Sequence, residues 1–386
     1  MSKEILWLPG WYPSRLDAFA GDFIQRHARA LSAFVPVHIL YIVRDKDRVV
    51  TKTVEMEKKQ TGNLSETIIY YASKDYSVSF ADRIMSMRKY NQLYKQYLQD
   101  RYLKKEMPAA VHVHVPFKAG VIALWLKSKY GLEYYVTEHW AGYDKSNPDN
   151  FFSRPASFRY IIRKILRNSK CVIPVSEDLE RKLQSIQPGI KTKIIPNTVN
   201  ESFFYFEEQR STVFRFVHYA SSYKGQKNTE GLLKVFSQLQ QKRNDWECVM
   251  YGPASDQLTG LVNQLGLNDR VRFTGEISYE DVARLVRSSS AFVSFSNYEN
   301  QPCSILEALC CGLPVIATRV GGIPEIINQQ NGLLIEPRNE TQLIQAIEKM
   351  MENYPGYNRR MIAENAVLKF SYASVGQQLY SLYQTS

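Results

Sequence analysis

Two carboxylates, Glu299 and Glu307, stand eight positions apart in the most informative stretch of this chain. From Ser296 to Ile327 it reads Ser-Asn-Tyr-Glu-Asn-Gln-Pro-Cys-Ser-Ile-Leu-Glu-Ala-Leu-Cys-Cys-Gly-Leu-Pro-Val-Ile-Ala-Thr-Arg-Val-Gly-Gly-Ile-Pro-Glu-Ile-Ile. A hydrolase acid and nucleophile must lie about 5–10 Å apart. Eight residues of helix would span roughly 12 Å. The spacing therefore argues against a hydrolytic pair and suits a grip on two ends of one extended, polyhydroxylated ligand. Pro302 lacks an N–H and presets φ, so it marks the first turn of a helix. Ile305, Leu306, Leu309 and Cys310 give that helix an apolar face, and Gly312 ends it. Free N–H groups near residues 301–304 then point out of the helix start, where the macrodipole favours an anion such as a diphosphate. The plainer alternative is an ordinary helix carrying two solvated glutamates.

The elements that must position these groups alternate along the chain. Short β-rich runs fall at Ile5–Leu8, Val37–Val43, Thr67–Tyr71, Ala110–Val115, Tyr134–Thr137 and Cys171–Val175. Helical patterns lie between them at about Phe23–Leu31, Ala81–Leu103, Ala119–Ser128 and Phe158–Arg167. A second series follows at Arg215–Tyr219, Glu247–Tyr251, Val271–Phe273, Ala291–Phe295, Val315–Ala317 and Gly332–Ile335. This alternation predicts an α/β fold with doubly wound parallel sheets. At 386 residues the chain exceeds one core and should form two domains. The aperiodic stretch from Pro196-Asn197-Thr198-Val199-Asn200 to Arg210 is the best linker, which places the domains at 1–200 and 201–371.

The stretch resembles the C-terminal signature of the retaining glycosyltransferases of family 4, which have the GT-B fold. It carries the Glu-x7-Glu pair in Glu299 and Glu307, then Ala308, Gly312, Pro314 and Val315, and the glycine turn in Gly321, Gly322 and Glu325. The resemblance implies two Rossmann-like domains facing across a cleft, with a last helix at about 372–386 crossing back onto the first. It implies that Glu299 reaches the donor sugar, that Glu307 holds the ribose, and that Asn300, Gln301, Pro302 and Ser304 face the diphosphate. It further implies a phosphate-approaching loop at Gly21, a nucleotide-base strand at Arg272 and Phe273, a diphosphate cation at Lys227, and a sugar-cleft histidine at His139. Glu299, Lys227 and His139 would form the catalytic group. Gly252-Pro253 resembles a further loop of the family. The chain departs from the common pattern at Ser222, where an arginine usually stands. Lys224-Gly225 offers a second register for the lysine.

Other constellations read as structural. Glu138 fits an acceptor-side carboxylate or a solvated one. His112 and His114 share one strand face with no third ligand at sensible spacing, so they are expected to be structural. Asp45-Lys46-Asp47, between Arg44 and Arg48, reads as a solvated turn, and no metal or cofactor is expected. The five cysteines form no C-x-x-C pair, which predicts buried thiols in a reducing cytoplasm. Met1–Ser14 reads as too short for a secretory leader, and no run of about 18 apolar residues predicts a membrane span. The formal charge is +11, and basic residues interleave with aromatics in Arg83–Lys105 and around Arg159, Arg163, Lys164 and Arg167. Such stretches suit an anionic membrane surface at the inner face of the cell or an acidic polymer, or else an ordinary solvated helix face. No nucleic-acid-binding module is visible.

The expectation is a retaining enzyme that moves a sugar from a nucleotide-sugar, UDP-linked by preference, to a saccharide or polyprenyl-linked acceptor in surface polysaccharide synthesis. A sugar-nucleotide 2-epimerase of the same fold and a non-catalytic glycan-binding relative are the alternatives.

Overall fold

The computed structural model describes residues 3–72, 80–104, 106–208, 213–220 and 225–384. Seven strands build the first sheet: β1 (Ile5–Pro9), β2 (Val37–Asp45), β3 (Val54–Thr61), β4 (Leu64–Ala72), β5 (Ala110–His114), β6 (Tyr134–Glu138) and β7 (Cys171–Pro174). Their order is β3-β4-β2-β1-β5-β6-β7, parallel throughout except for the antiparallel β3–β4 pair. Helices α1 (Asp22–Ser32), α2 (Phe80–Leu98), α3 (Ala119–Tyr130), α4 (Ala156–Asn168) and α5 (Glu177–Ile186) accompany this sheet, and α2 runs on into a π-helical turn at Gln99–Leu103. Every residue of β1, β5 and β6 is buried, as expected of strands covered on both faces.

The second sheet has strands β8 (Phe214–Tyr219), β9 (Trp246–Tyr251), β10 (Val271–Phe273), β11 (Ala291–Ser294), β12 (Val315–Thr318) and β13 (Gly332–Ile335). Its order is β10-β9-β8-β11-β12-β13, all parallel. Helices α6 (Thr229–Leu239), α7 (Asp256–Gln264), α8 (Tyr279–Arg287), α9 (Cys303–Cys310), α10 (Glu340–Asn353) and α11 (Arg359–Phe370) intervene or follow. The last helix, α12 (Tyr372–Gln384), leaves this domain and packs on α1 of the first.

Three features differ from the sequence reading. Strand β3 was not expected, because Val-Glu-Met-Glu-Lys-Lys-Gln-Thr has no apolar face. It is a largely exposed edge strand, and its charges protect that edge from further pairing. Asp45 is not in a solvated turn: it is buried, and its carboxylate accepts hydrogen bonds from the Val49 and Val50 amides, while Lys46 and Asp47 are exposed. The tyrosines of the basic stretch point inward. Tyr90, Tyr94 and Tyr102 are core residues, and Arg88, Lys95, Arg101 and Lys104 form the opposite, exposed face.

The two places where the chain passes between domains are hydrogen-bonded to each other. Val199 N donates to Phe370 O at 2.8 Å, Thr198 Oγ1 donates to the same oxygen at 3.0 Å, and Tyr372 N donates to Glu201 Oε2 at 2.9 Å. On α12, Val375, Gly376, Leu379 and Leu382 are buried. A Cβ at Gly376 would lie 2.4 Å from the Ala30 carbonyl oxygen of α1, so only glycine permits this approach. Gly376→Val should lower unfolding stability by about 1–3 kcal/mol through overpacking. Denaturant titration measures this, and an unchanged midpoint would show that α12 does not pack as closely as described.

Candidate active site

In each sheet the chain reverses its winding direction at one strand, and the crevice beyond the strand ends there is where α/β folds gather ligands. In the second domain that place lies between β8 and β11. The loop after β8 supplies Lys227 and the loop after β11 supplies Glu299. Both side chains are buried, and Lys227 Nζ lies 2.5 Å from Glu299 Oε1. Lys227 also sits over the Tyr219 ring, 5.4 Å from its centroid. The two loops are tied by Asn297 N donating to Gln226 O at 2.8 Å and Asn297 Nδ2 to Gly225 O at 2.6 Å.

The glycine turn that follows has a local reason. Gly321 has φ +53°, and a Cβ there would stand 2.0 Å from the Glu299 carbonyl oxygen. Gly322 N donates to Asn300 O at 2.7 Å, and a Cβ on Gly322 would meet Ser176 of the first domain. The pair thus seats the backbone of the Glu299 loop. Pro302 precedes the helix rather than occupying its first turn: its ψ of 121° makes it the residue before α9, which begins at Cys303.

Glu307, read as either a ligand carboxylate or a solvated one, is buried inside α9 and meets a residue the sequence reading missed. Arg26 of α1 places Nη1 2.5 Å from Glu307 Oε1 and 2.9 Å from the Tyr279 hydroxyl, and Nη2 2.9 Å from Asp22 Oδ2. Burial raises the Glu307 pKa, and the Arg26 charge pulls it back. Arg26 left no trace in sequence because it lies within an amphipathic helix and its partner is 281 positions away.

Two of the expected donor contacts are engaged elsewhere. Asn300 Nδ2 donates to the His139 carbonyl at 2.8 Å, and Asn197 N and Nδ2 donate to Gln301 Oε1 and O, each at 2.7 Å. These side chains tie the signature loop to the first domain and the linker, while Ser304, in the first turn of α9, is buried. Glu325 crosses between domains as well, accepting from the Glu177 and Asp178 amides at 2.8 Å and so capping α5.

On the opposite wall, His139 follows β6. Its Nε2 lies 3.4 Å from His114 Nδ1, and its ring packs 4.7 Å from Phe23. Burial lowers the pKa values of His139 and His114 far below the ordinary range, so both rings are neutral at pH 7. A neutral imidazole at the cleft can donate one hydrogen bond to a sugar hydroxyl. His112 bonds Tyr383 of α12 and lies 2.7 Å from Thr137 Oγ1. Among the described residues no group of three or more His, Cys, Asp or Glu side chains is arranged to hold a metal. Glu138 is neither solvated nor turned to an acceptor. It is fully buried, accepting from the His139 and Trp140 amides and the Tyr143 hydroxyl, and burial pushes it up to about 7.

Gly21 caps α1 at φ +66°, and a Cβ would lie 2.5 Å from Trp11 O; its glycine character serves that contact. Arg272 is exposed and Phe273 half-buried on β10, the strand at the edge beyond β9. Gly252 approaches Ala220 O after β9. Ser222 and Lys224 lie outside the described residues. Val115 and Lys118 adopt positive φ in the turn after β5, a strained connection into α3. Burial lowers the pKa of Lys118, and the nearby charges of Lys46 and Arg44 lower it further, so basic groups gather there.

Comparison with known proteins bears on the family and the fold. The family model for glycosyl transferases group 1 matches residues 203–368, and that for glycosyltransferase family 4 matches residues 70–203. The alpha-D-kanosaminyltransferase of Streptomyces kanamyceticus is 25% identical over 73% of this chain and 78% of its own length. The alpha-monoglucosyldiacylglycerol synthase of Streptococcus pneumoniae is 23% identical over 79% and 71%. Among solved structures, the sucrose-phosphate synthase of Thermosynechococcus elongatus superposes with a TM-score of 0.78 at 20% identity, covering 99% of both chains. Anabaena HepE, crystallised with UDP and glucose, gives 0.72 at 15% identity over 100% of both. These likenesses establish the GT-B fold.

The titration of the buried groups sets the acid stability. His38 and His112 are lowered to about 3 and His218 to about 4, each chiefly by burial. Their folded pKa values lie below the ordinary 6.5, so their contribution is complete above pH 6.5 and is lost as pH falls. By pH 5 that loss is about 2 kcal/mol per histidine. Glu138 acts oppositely, since its folded pKa is raised, and recovers about 2 kcal/mol between pH 7 and 5. The histidines win. Unfolding stability should therefore be lower at pH 5 than at pH 7, and His218→Gln should narrow the gap; equal stability at both pH values would contradict it.

Proposed function

Because the chain belongs to the group 1 glycosyltransferases of family 4, we propose that it transfers a sugar, with retention, from a nucleotide-sugar to a saccharide or lipid-linked saccharide acceptor during surface polysaccharide synthesis. The observation that carries this reading is the buried Lys227–Glu299 pair beyond the reversal point of the second sheet, one residue from the contact between Asn300 and His139. UDP is the favoured carrier, with support from the UDP and glucose bound in HepE. The exposed basic faces of α2 and α4 support an anionic or membrane-borne acceptor.

In this reading the diphosphate meets Lys227 and the amides that open α9, Glu299 orients the sugar hydroxyls, and Glu307 receives the ribose. Glu299, held by Lys227, is an orienting group and not a nucleophile. The acceptor hydroxyl approaches on the face the diphosphate leaves. As the bond from the anomeric carbon to phosphate oxygen breaks, the new carbon–oxygen bond forms on the same side. The acceptor proton passes to the departing diphosphate. Lys227 and the helix start stabilise the charge that develops, and His139 supports the sugar from the opposite wall.

The test is release of nucleoside diphosphate from UDP-, GDP- and ADP-sugars, with and without a saccharide acceptor. Lys227→Ala and Glu299→Ala should each cut the rate by roughly 10²–10³. Full activity in Glu299→Ala would end this assignment. An epimerised nucleotide-sugar with no acceptor product would favour the epimerase, and no release from any donor would favour a binding protein.

A further inference from the structure

Arg26 belongs to α1 of the first domain, yet one edge of its guanidinium reaches into the second. Its guanidinium is buried against Glu307, Asp22 and the Tyr279 hydroxyl, and lies 5.1 Å from the Tyr279 ring centroid. These bonds use Nη1 and Nη2, while the buried Nε–H has no acceptor among the described residues. The position is close to the start of α9. The thiol of Cys303, the first residue of that helix, feels the charges of Arg26, Glu307, Asp22 and Lys227 together.

The charge balance there is unfavourable for an anion. Among the described residues, Asp22, Glu299 and Glu307 outnumber the two cations, Lys227 and Arg26, that pair with them. A diphosphate cannot sit beside this group of acids on Lys227 alone, whose ammonium is already shared with Glu299. Arg26 offers what Lys227 does not. A planar guanidinium keeps one edge on a carboxylate while another edge takes a phosphate oxygen.

We propose that Arg26 is a donor-binding residue, contributed by the first domain, whose Nε–H takes a diphosphate oxygen while Nη1 stays on Glu307. The inference rests on the nucleotide-sugar reading above. It makes the donor a bridge, held by Lys227 from one domain and Arg26 from the other.

Calorimetric titration with UDP, GDP and ADP, and with the matching nucleoside, tests it. For the diphosphate that the wild type binds, Arg26→Gln should weaken affinity roughly tenfold or more, the cost of one charge-assisted bond. Affinity for the nucleoside should stay within about twofold. Arg26→Lys keeps a partner for Glu307 and a point charge, so it should fold as the wild type does and fall between the two. Equal weakening of diphosphate and nucleoside in Arg26→Gln and Arg26→Lys would assign Arg26 to holding Glu307 alone and overturn the proposal. Tighter binding in the variants would do so too, by making Arg26 an occupant that the ligand displaces. Undiminished diphosphate binding overturns the inference while leaving the enzyme reading intact. A wild type that binds none of the three diphosphates removes both.

Discussion

The site depends on one close approach of backbone to backbone. The loop from Ser296 to Pro302 can present Glu299 only because Gly321 lies against its carbonyl, nearer than any side chain permits. The amide of Gly322 then holds Asn300, and Asn300 in turn reaches the backbone of His139. Seating a loop from above and anchoring it from the opposite domain turns a flexible connection into a fixed platform. The helix α9 starts where that platform ends, so the direction of its free amides follows from the same constraint.

On that platform the chemistry is arranged as matched charges in a dry place. Burying one carboxylate without a partner is expensive, and removing one member of a buried pair is more damaging than replacing both. Glu299 therefore comes with Lys227, and Glu307 with Arg26. In each pair the two members arrive from different loops or different domains. The arrangement is thus sensitive to how the two halves of the molecule sit, and a polar ligand entering between them replaces one set of satisfied bonds with another.

Most of the sheet architecture was legible in sequence, because central parallel strands are short apolar runs and their helices carry clear periodicity. Strand β3 was not, since an edge strand exposed to water can be almost wholly charged. In the site, the pattern from Glu299 to Gly322 was readable because it is local, and the structure brings Glu299 and Lys227 together. What stayed hidden depends on distant partners. Nothing beside Asn300, Gln301 or Glu325 announces that each makes its hydrogen bonds with the first domain or the linker. The burial of Glu138 and Asp45 was equally invisible, because a carboxylate that caps its own loop looks in sequence like one that faces solvent.

The bonded crossing points near Val199 and Phe370 have a mechanical consequence. Two separate links would let the halves of the molecule slide, twist or drift apart. Joined at a shared carbonyl, with α12 clamped to α1 just beyond, they behave as one pin. The remaining freedom is a swing about that pin. A contact beside the pin, such as Gln301 on Asn197 two residues before Val199, shifts least in such a swing. Opening the cleft is then a rotation with a lever arm, and the energetic penalty of each interdomain bond depends on its distance from the pivot.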